Sequence, residues 1–130
     1  KLGHTDSTIN ALYTCSNTNP QKVTVTSGGT TSVSFYNKLN TGSISLTKTT
    51  EDGQNLSGWK FGVYSDSACS NLVSGPYTTN SSGKLSVTGL AAGTYYVKEL
   101  CNTDSSIDSL YSCASTNPQR VTIASGQTAS

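Results

Sequence analysis

Apolar and polar residues alternate in short runs along this chain, at the period of half-buried strands. Ser43-Ile44-Ser45-Leu46-Thr47-Lys48 sets Ile44, Leu46 and Lys48 on one face, and "TTEDG", Thr49 to Gly53, ends the run in a turn. Trp59 to Tyr64 alternates again, with Trp59, Phe61 and Val63 facing the expected core. Asp66 to Gly75 reads as a loop with an apolar step at Leu72-Val73, and "NSSG", Asn80 to Gly83, as a turn into Leu85-Ser86-Val87-Thr88. After a turn over Gly89 to Gly93, Thr94 to Leu100 is the strongest strand by β-branched and aromatic content. Ile107, Leu110 and Tyr111 follow Asp104 at helical spacing, which suits either a helical turn capped by Asp104 or a loop. Arg120 to Ile123 is a further strand. Short strands separated by turn signals predict an all-β fold, an Ig-like or prealbumin-like β-sandwich.

The chain matches itself once. Leu2 to Ser32 aligns with Leu100 to Ser130, and 18 of these 31 pairs are identical, including Asp6 with Asp104, Tyr13 with Tyr111, Cys15 with Cys113 and Pro20 with Pro118. A shift of 98 positions is a domain-sized period, so the sequence reads as tandem domains out of phase. Residues 1–41 would be the C-terminal part of a preceding repeat, holding its last two strands at Lys22 to Val25 and Val33 to Asn37. Residues 42–130 would be a sandwich domain lacking the counterpart of Val33 to Asn37. An open edge beside a free strand of matching sequence predicts self-association by strand exchange between chains.

Composition narrows the function classes. Hydrophobic residues make up 33% of the chain, enough for one modest core, and the 12% of charged residues leave a net charge of only +1. With no block of Lys or Arg, nucleic acid is not an expected partner. No apolar run approaches a membrane span, and no leader opens the chain, which reads as a mature segment of a longer protein. No C-x-x-C pair or His-rich tract suggests a metal, and no cofactor is expected. His4, the single histidine, has no local nucleophile or orienting group and reads as a surface residue. The four cysteines admit a Cys69–Cys113 disulfide, the favoured pair in an exported protein, or four free thiols.

Three polar residues continue apolar faces: Lys48 after Ile44 and Leu46, Glu99 after Tyr95 and Val97, and Asn37 after Val33 and Phe35. At this point the sequence resembles a known family. "GSISLTK", "LSGWKFGVYSD", "SGKLSVTGLAAGTYYVKE" and "VTVTSGGTTSVSFYN" are similar to the Cna protein B-type, or SpaA-type prealbumin-like, domains of Gram-positive surface adhesins and pili. The resemblance implies an intramolecular isopeptide bond between a first-strand Lys and a last-strand Asn, assisted by a Glu, at the positions of Lys48, Asn37 and Glu99. An apolar site favours the neutral amine that attacks and a protonated carboxyl that assists. The bond forms once, so the domain is not a turnover enzyme. Only Lys38 to Thr47 separate Asn37 from Lys48, too few for a parallel crossover, so the reactive residues are expected to come from different chains.

The resemblance also implies an extracellular, cell-wall-anchored location, with neighbouring repeats of the same protein as partners. The function expected is that of a stalk module. The alternative is an adhesin module that recognises a host glycan or protein through Trp59, Tyr64, Tyr77 or the loops at one end of the sandwich.

Overall fold

In the computed structural model, residues 2–130 are described, and Lys1, where the first expected segment begins, lies outside them. The chain forms two compact units, Lys1–Asn40 and Thr41–Ser130.

In the first unit, Asp6 caps a short helix α1 (Ser7–Leu12) by accepting the Thr8 N–H at 2.9 Å. Strands β1 (Tyr13–Cys15) and β2 (Asn37–Leu39) follow and pair antiparallel, Cys15 opposite Asn37. The strands expected over Lys22 to Val25 and Val33 to Tyr36 do not form. Their apolar side chains stay outside: Val23 and Val33 are each 50% exposed and Phe35 47%. A lone hairpin has no second layer on which to bury a face, so alternation alone does not make it a sheet.

In the second unit the same sequence pattern does become sheet. The strands are β3 (Gly42–Thr47), β4 (Trp59–Tyr64), β5 (Leu72–Thr78), β6 (Lys84–Leu90), β7 (Gly93–Asn102), β8 (Gln119–Ile123) and β9 (Thr128–Ala129), with a helical turn α2 (Ser105–Asp108) after β7. They build two layers, a three-stranded sheet ordered β6-β3-β9 and a four-stranded sheet ordered β5-β4-β7-β8. β8, whose sequence echoes Lys22 to Val25, forms because β7 lies beside it, with Tyr95 opposite Val121.

Both sheets send side chains to one core. Ile44 and Val87 come from the smaller sheet, while Trp59 (2% exposed), Phe61 (8%), Val63 (1%), Val97 and Ile123 come from the larger. The alternation Trp59, Phe61, Val63 therefore marks the buried face of β4. Asp104 caps α2 by accepting the Ser106 N–H at 2.9 Å, so the helical option holds at Ile107.

Two strands differ from those expected. β5 runs through Pro76, which a central strand would not tolerate, because β5 lies at the edge of its sheet. β9 pairs parallel to β3, Ser43 with Thr128 and Ile44 with Ala129, on the side of β3 away from β6.

Candidate functional site

Lys48 stands just beyond β3. Its N–H donates to the Gly83 carbonyl at 2.6 Å, which fixes the backbone against the turn before β6. Glu99 lies in β7 opposite Phe61 of β4. The two sheets face each other, and the side chains meet between them: Lys48 Nζ is 2.9 Å from Glu99 Oε2, with only 14% and 15% of the side chains exposed. The ammonium also sits 4.3 Å from the centroid of the Trp59 ring, a cation–π contact. Lys48 and Glu99 line two adjoining cavities of about 180 and 210 Å³.

A ring of supporting contacts holds this pair. The Asn117 side chain bonds the Glu99 backbone twice, accepting from its N–H at 3.0 Å and donating to its carbonyl at 3.1 Å. Trp59 Nε1 donates to the Asn55 carbonyl at 2.7 Å, and the Tyr111 ring packs edge-on against the indole. The Tyr111 hydroxyl donates to Asp52 at 3.0 Å and accepts from Asn55 Nδ2 at 3.0 Å. The Asp52 carboxyl is held below the usual carboxylate range, first by the Gln54 N–H and also by Tyr111. Asn117 and Tyr111 carried no chemical signal in the sequence, where Tyr111 stands out only as one of the apolar positions at helical spacing after Asp104.

The remaining candidates are placed elsewhere. Asn37 is on β2 of the first unit, exposed, opposite Cys15. His4 lies beside the cap of α1, where its Nδ1 accepts the Asp6 N–H at 2.9 Å. Trp59 belongs to the core, and Tyr77 packs against that core, while Tyr64 at the far end of β4 is half-buried.

The favoured pair Cys69 and Cys113 is unbridged in this structure, as are Cys15 and Cys101. Cys69 lies in the connection beyond Tyr64, whereas Cys113 lines the cavity with Trp59 and Glu99 at the other end of β4. The five residue steps from Trp59 to Tyr64 span about 16 Å, beyond the roughly 7 Å limit between bridged Cα atoms. Among the described residues no cluster of His, Cys, Asp or Glu could hold a metal, and no helix is long and apolar enough to cross a membrane.

Residues 42–129 match the family model described as SpaA, prealbumin-like fold domain. The chain belongs to the SpaA family. The fold is similar to that in the crystal structure of BcpA, the major pilin subunit of Bacillus cereus, with a TM-score of 0.51 and 21% identity over 65% of this chain and 22% of that one. GBS52, the minor pilin of the Gram-positive pathogen Streptococcus agalactiae, gives a TM-score of 0.47 and 23% identity over 72% of this chain and 44% of that one. This SpaA chain thus spans about a fifth of the length of the first pilin and under half of the second. No curated protein matches the sequence.

Proposed function

We propose that this chain is a structural stalk module of a Gram-positive cell-surface protein, an adhesin or pilus-like protein, and that Lys48 and Glu99 form a cross-linking site for an Asn37 side chain. Residues 1–41 are then the end of a preceding repeat and residues 42–130 the body of the next. Neighbouring repeats of the same protein are its partners, outside the cell and on an anchored wall protein. The observation that supports the chemistry is the 2.9 Å contact between Lys48 Nζ and Glu99 Oε2, sheltered between two sheets and against Trp59.

The reaction needs no external reagent. Lys48 passes a proton to Glu99, and the neutral amine attacks Asn37 Cγ. The tetrahedral adduct collapses as Glu99 returns the proton to the departing Nδ2. A Nζ–Cγ amide replaces the Asn37 Cγ–Nδ2 bond, and the ammonium nitrogen lost to solvent carries away the surplus protons. The site acts once, and the product is a matured strut.

Intact mass under reducing and denaturing conditions tests this. The expected result is a covalent species lighter by one ammonia per link, absent from Lys48→Ala, Asn37→Ala and Glu99→Ala. Chains at their full calculated mass after prolonged incubation would refute it.

A further inference from the structure

The alternation that turns Trp59, Phe61 and Val63 into the core turns Lys60, Gly62 and Tyr64 to the outer face of the four-stranded sheet. On β7, with Tyr95 and Val97 packed inward, Tyr96 and Lys98 take that outer face, and on β8 Arg120 does. The registers fix their positions: Tyr64 is opposite Tyr96, Gly62 is opposite Lys98, and Tyr96 is opposite Arg120. Each cation is therefore one strand across and two residues along from the next. Arg120, Lys98 and Lys60 form a diagonal with steps of about 7–8 Å. Beside the diagonal runs a row of Leu72, Tyr64 and Tyr96, Leu72 being opposite Tyr64 on β5.

Charge and shape both suit this face to an anionic ligand. β4, β5, β7 and β8 contain one carboxylate, Glu99, and it turns inward to Lys48. The three cations of these strands all turn outward, and among the described residues no carboxylate pairs with them. Their mutual repulsion, at a spacing within the screening length of physiological salt, is relieved by anions placed along the diagonal. Gly62 supplies the shape. A Cβ there would lie 2.8 Å from Tyr64 Cε2, 3.0 Å from its hydroxyl oxygen and 3.1 Å from Leu72 Cδ1. The Tyr64 ring is thus folded back along β4, with its hydroxyl over Gly62, the residue opposite Lys98. Two tyrosines side by side offer apolar ring surface with polar tips, on which the C–H face of a sugar ring packs.

We propose that the outer face of β4, β7 and β8 binds a linear polysaccharide whose sugar rings carry carboxylates. The carboxylates meet Arg120, Lys98 and Lys60 along the diagonal, with the Arg120 guanidinium able to hold one of them by two parallel hydrogen bonds. The sugar rings between them rest on Tyr64 and Tyr96. Nucleic acid also combines charge with stacking, but its phosphates follow one another densely, and a net charge of +1 gives them little attraction. An acidic peptide would meet the cations and leave the tyrosines unused. This face is on the opposite side of the sheet from Glu99, so the inference goes beyond the cross-linking reading and does not depend on it.

Titration of the full chain with glucuronate-containing hyaluronan oligosaccharides, followed by NMR, tests this. The amides of Gly62, Tyr96 and Lys98 are expected to shift on binding. Lys98→Gln/Arg120→Gln should weaken binding about tenfold or more. Gly62→Ala keeps every charge but displaces the Tyr64 ring, and should weaken it several-fold. Both variants change the outer face alone, so their circular dichroism should match the parent. No binding by the parent, binding unaltered by either variant, or equal binding of neutral chitin oligosaccharides, poly-glutamate or single-stranded DNA overturns the proposal.

Discussion

The ring of Tyr111 stands edge-on to the indole of Trp59, with centroids 5.9 Å apart at 75°, and the same indole carries the Lys48 ammonium on its face. A segment from beyond α2 thus braces the residue that locates the lysine. The Tyr111 hydroxyl extends the brace to Asp52 and Asn55, in the loop between β3 and β4.

Removing this brace should loosen the site in two separable steps. Tyr111→Phe keeps the ring and loses the hydroxyl contacts, and should cost about 1 kcal/mol in urea unfolding. Tyr111→Ala removes the edge-to-face pair as well and should cost roughly 2–4 kcal/mol. In the alanine variant alone, the NMR signals of the Lys48 side chain should lose the upfield ring-current shift imposed by Trp59. Equal effects of the two substitutions would show that the ring packing contributes nothing.

Gly83 should tolerate no side chain. Its φ is +75°, and a Cβ there would come within 2.4 Å of the Lys48 carbonyl oxygen, the very residue whose N–H it accepts. Gly83→Ala should therefore destabilise by more than about 1 kcal/mol and displace Lys48 from Glu99. Gly53 is the control: its φ is +70°, yet a Cβ would meet nothing within 4 Å. Gly53→Ala should carry the conformational cost alone and leave the Lys48–Glu99 contact in place. Chemical denaturation and a crystal structure of each variant check both.

Acid should weaken the fold through its turn carboxylates. Asp104 is held below the usual carboxylate range by the Ser106 hydroxyl and N–H, and Asp66 by the Ser70 hydroxyl and the Asn71 N–H. Both therefore bind protons less readily folded than unfolded. Their stabilisation is complete above the ordinary carboxylate range and is lost as pH falls through the depressed values. Urea midpoints should be flat from neutral to mildly acidic pH and then decline. Asp66→Asn should make that decline shallower, and an unchanged acid limb in this variant would contradict the assignment.

Much of the sandwich was legible because alternation directly records which side of a strand is buried. Trp59, Phe61 and Val63 show this, and so does the common face of Ile44, Leu46 and Lys48. Alternation does not record whether a neighbouring strand exists. Lys22 to Val25 and Arg120 to Ile123 read alike, yet only the second has β7 beside it. Residues that act through their amides were invisible for a different reason. Asn102 is 5% exposed and donates to the Ser57 carbonyl while accepting the Asp104 N–H, and Asn117 clasps the Glu99 backbone. Nothing distinguishes such asparagines from turn formers until the backbone they bond is in place.

The parallel course of β3 and β9 also sets how the module would carry tension. A chain entering at Gly42 and leaving past Ala129 is gripped at opposite ends of two adjacent strands running in the same direction. Pulling slides one strand along the other, so all their main-chain hydrogen bonds share the load at once, whereas an antiparallel hairpin pulled at its open end would peel bond by bond.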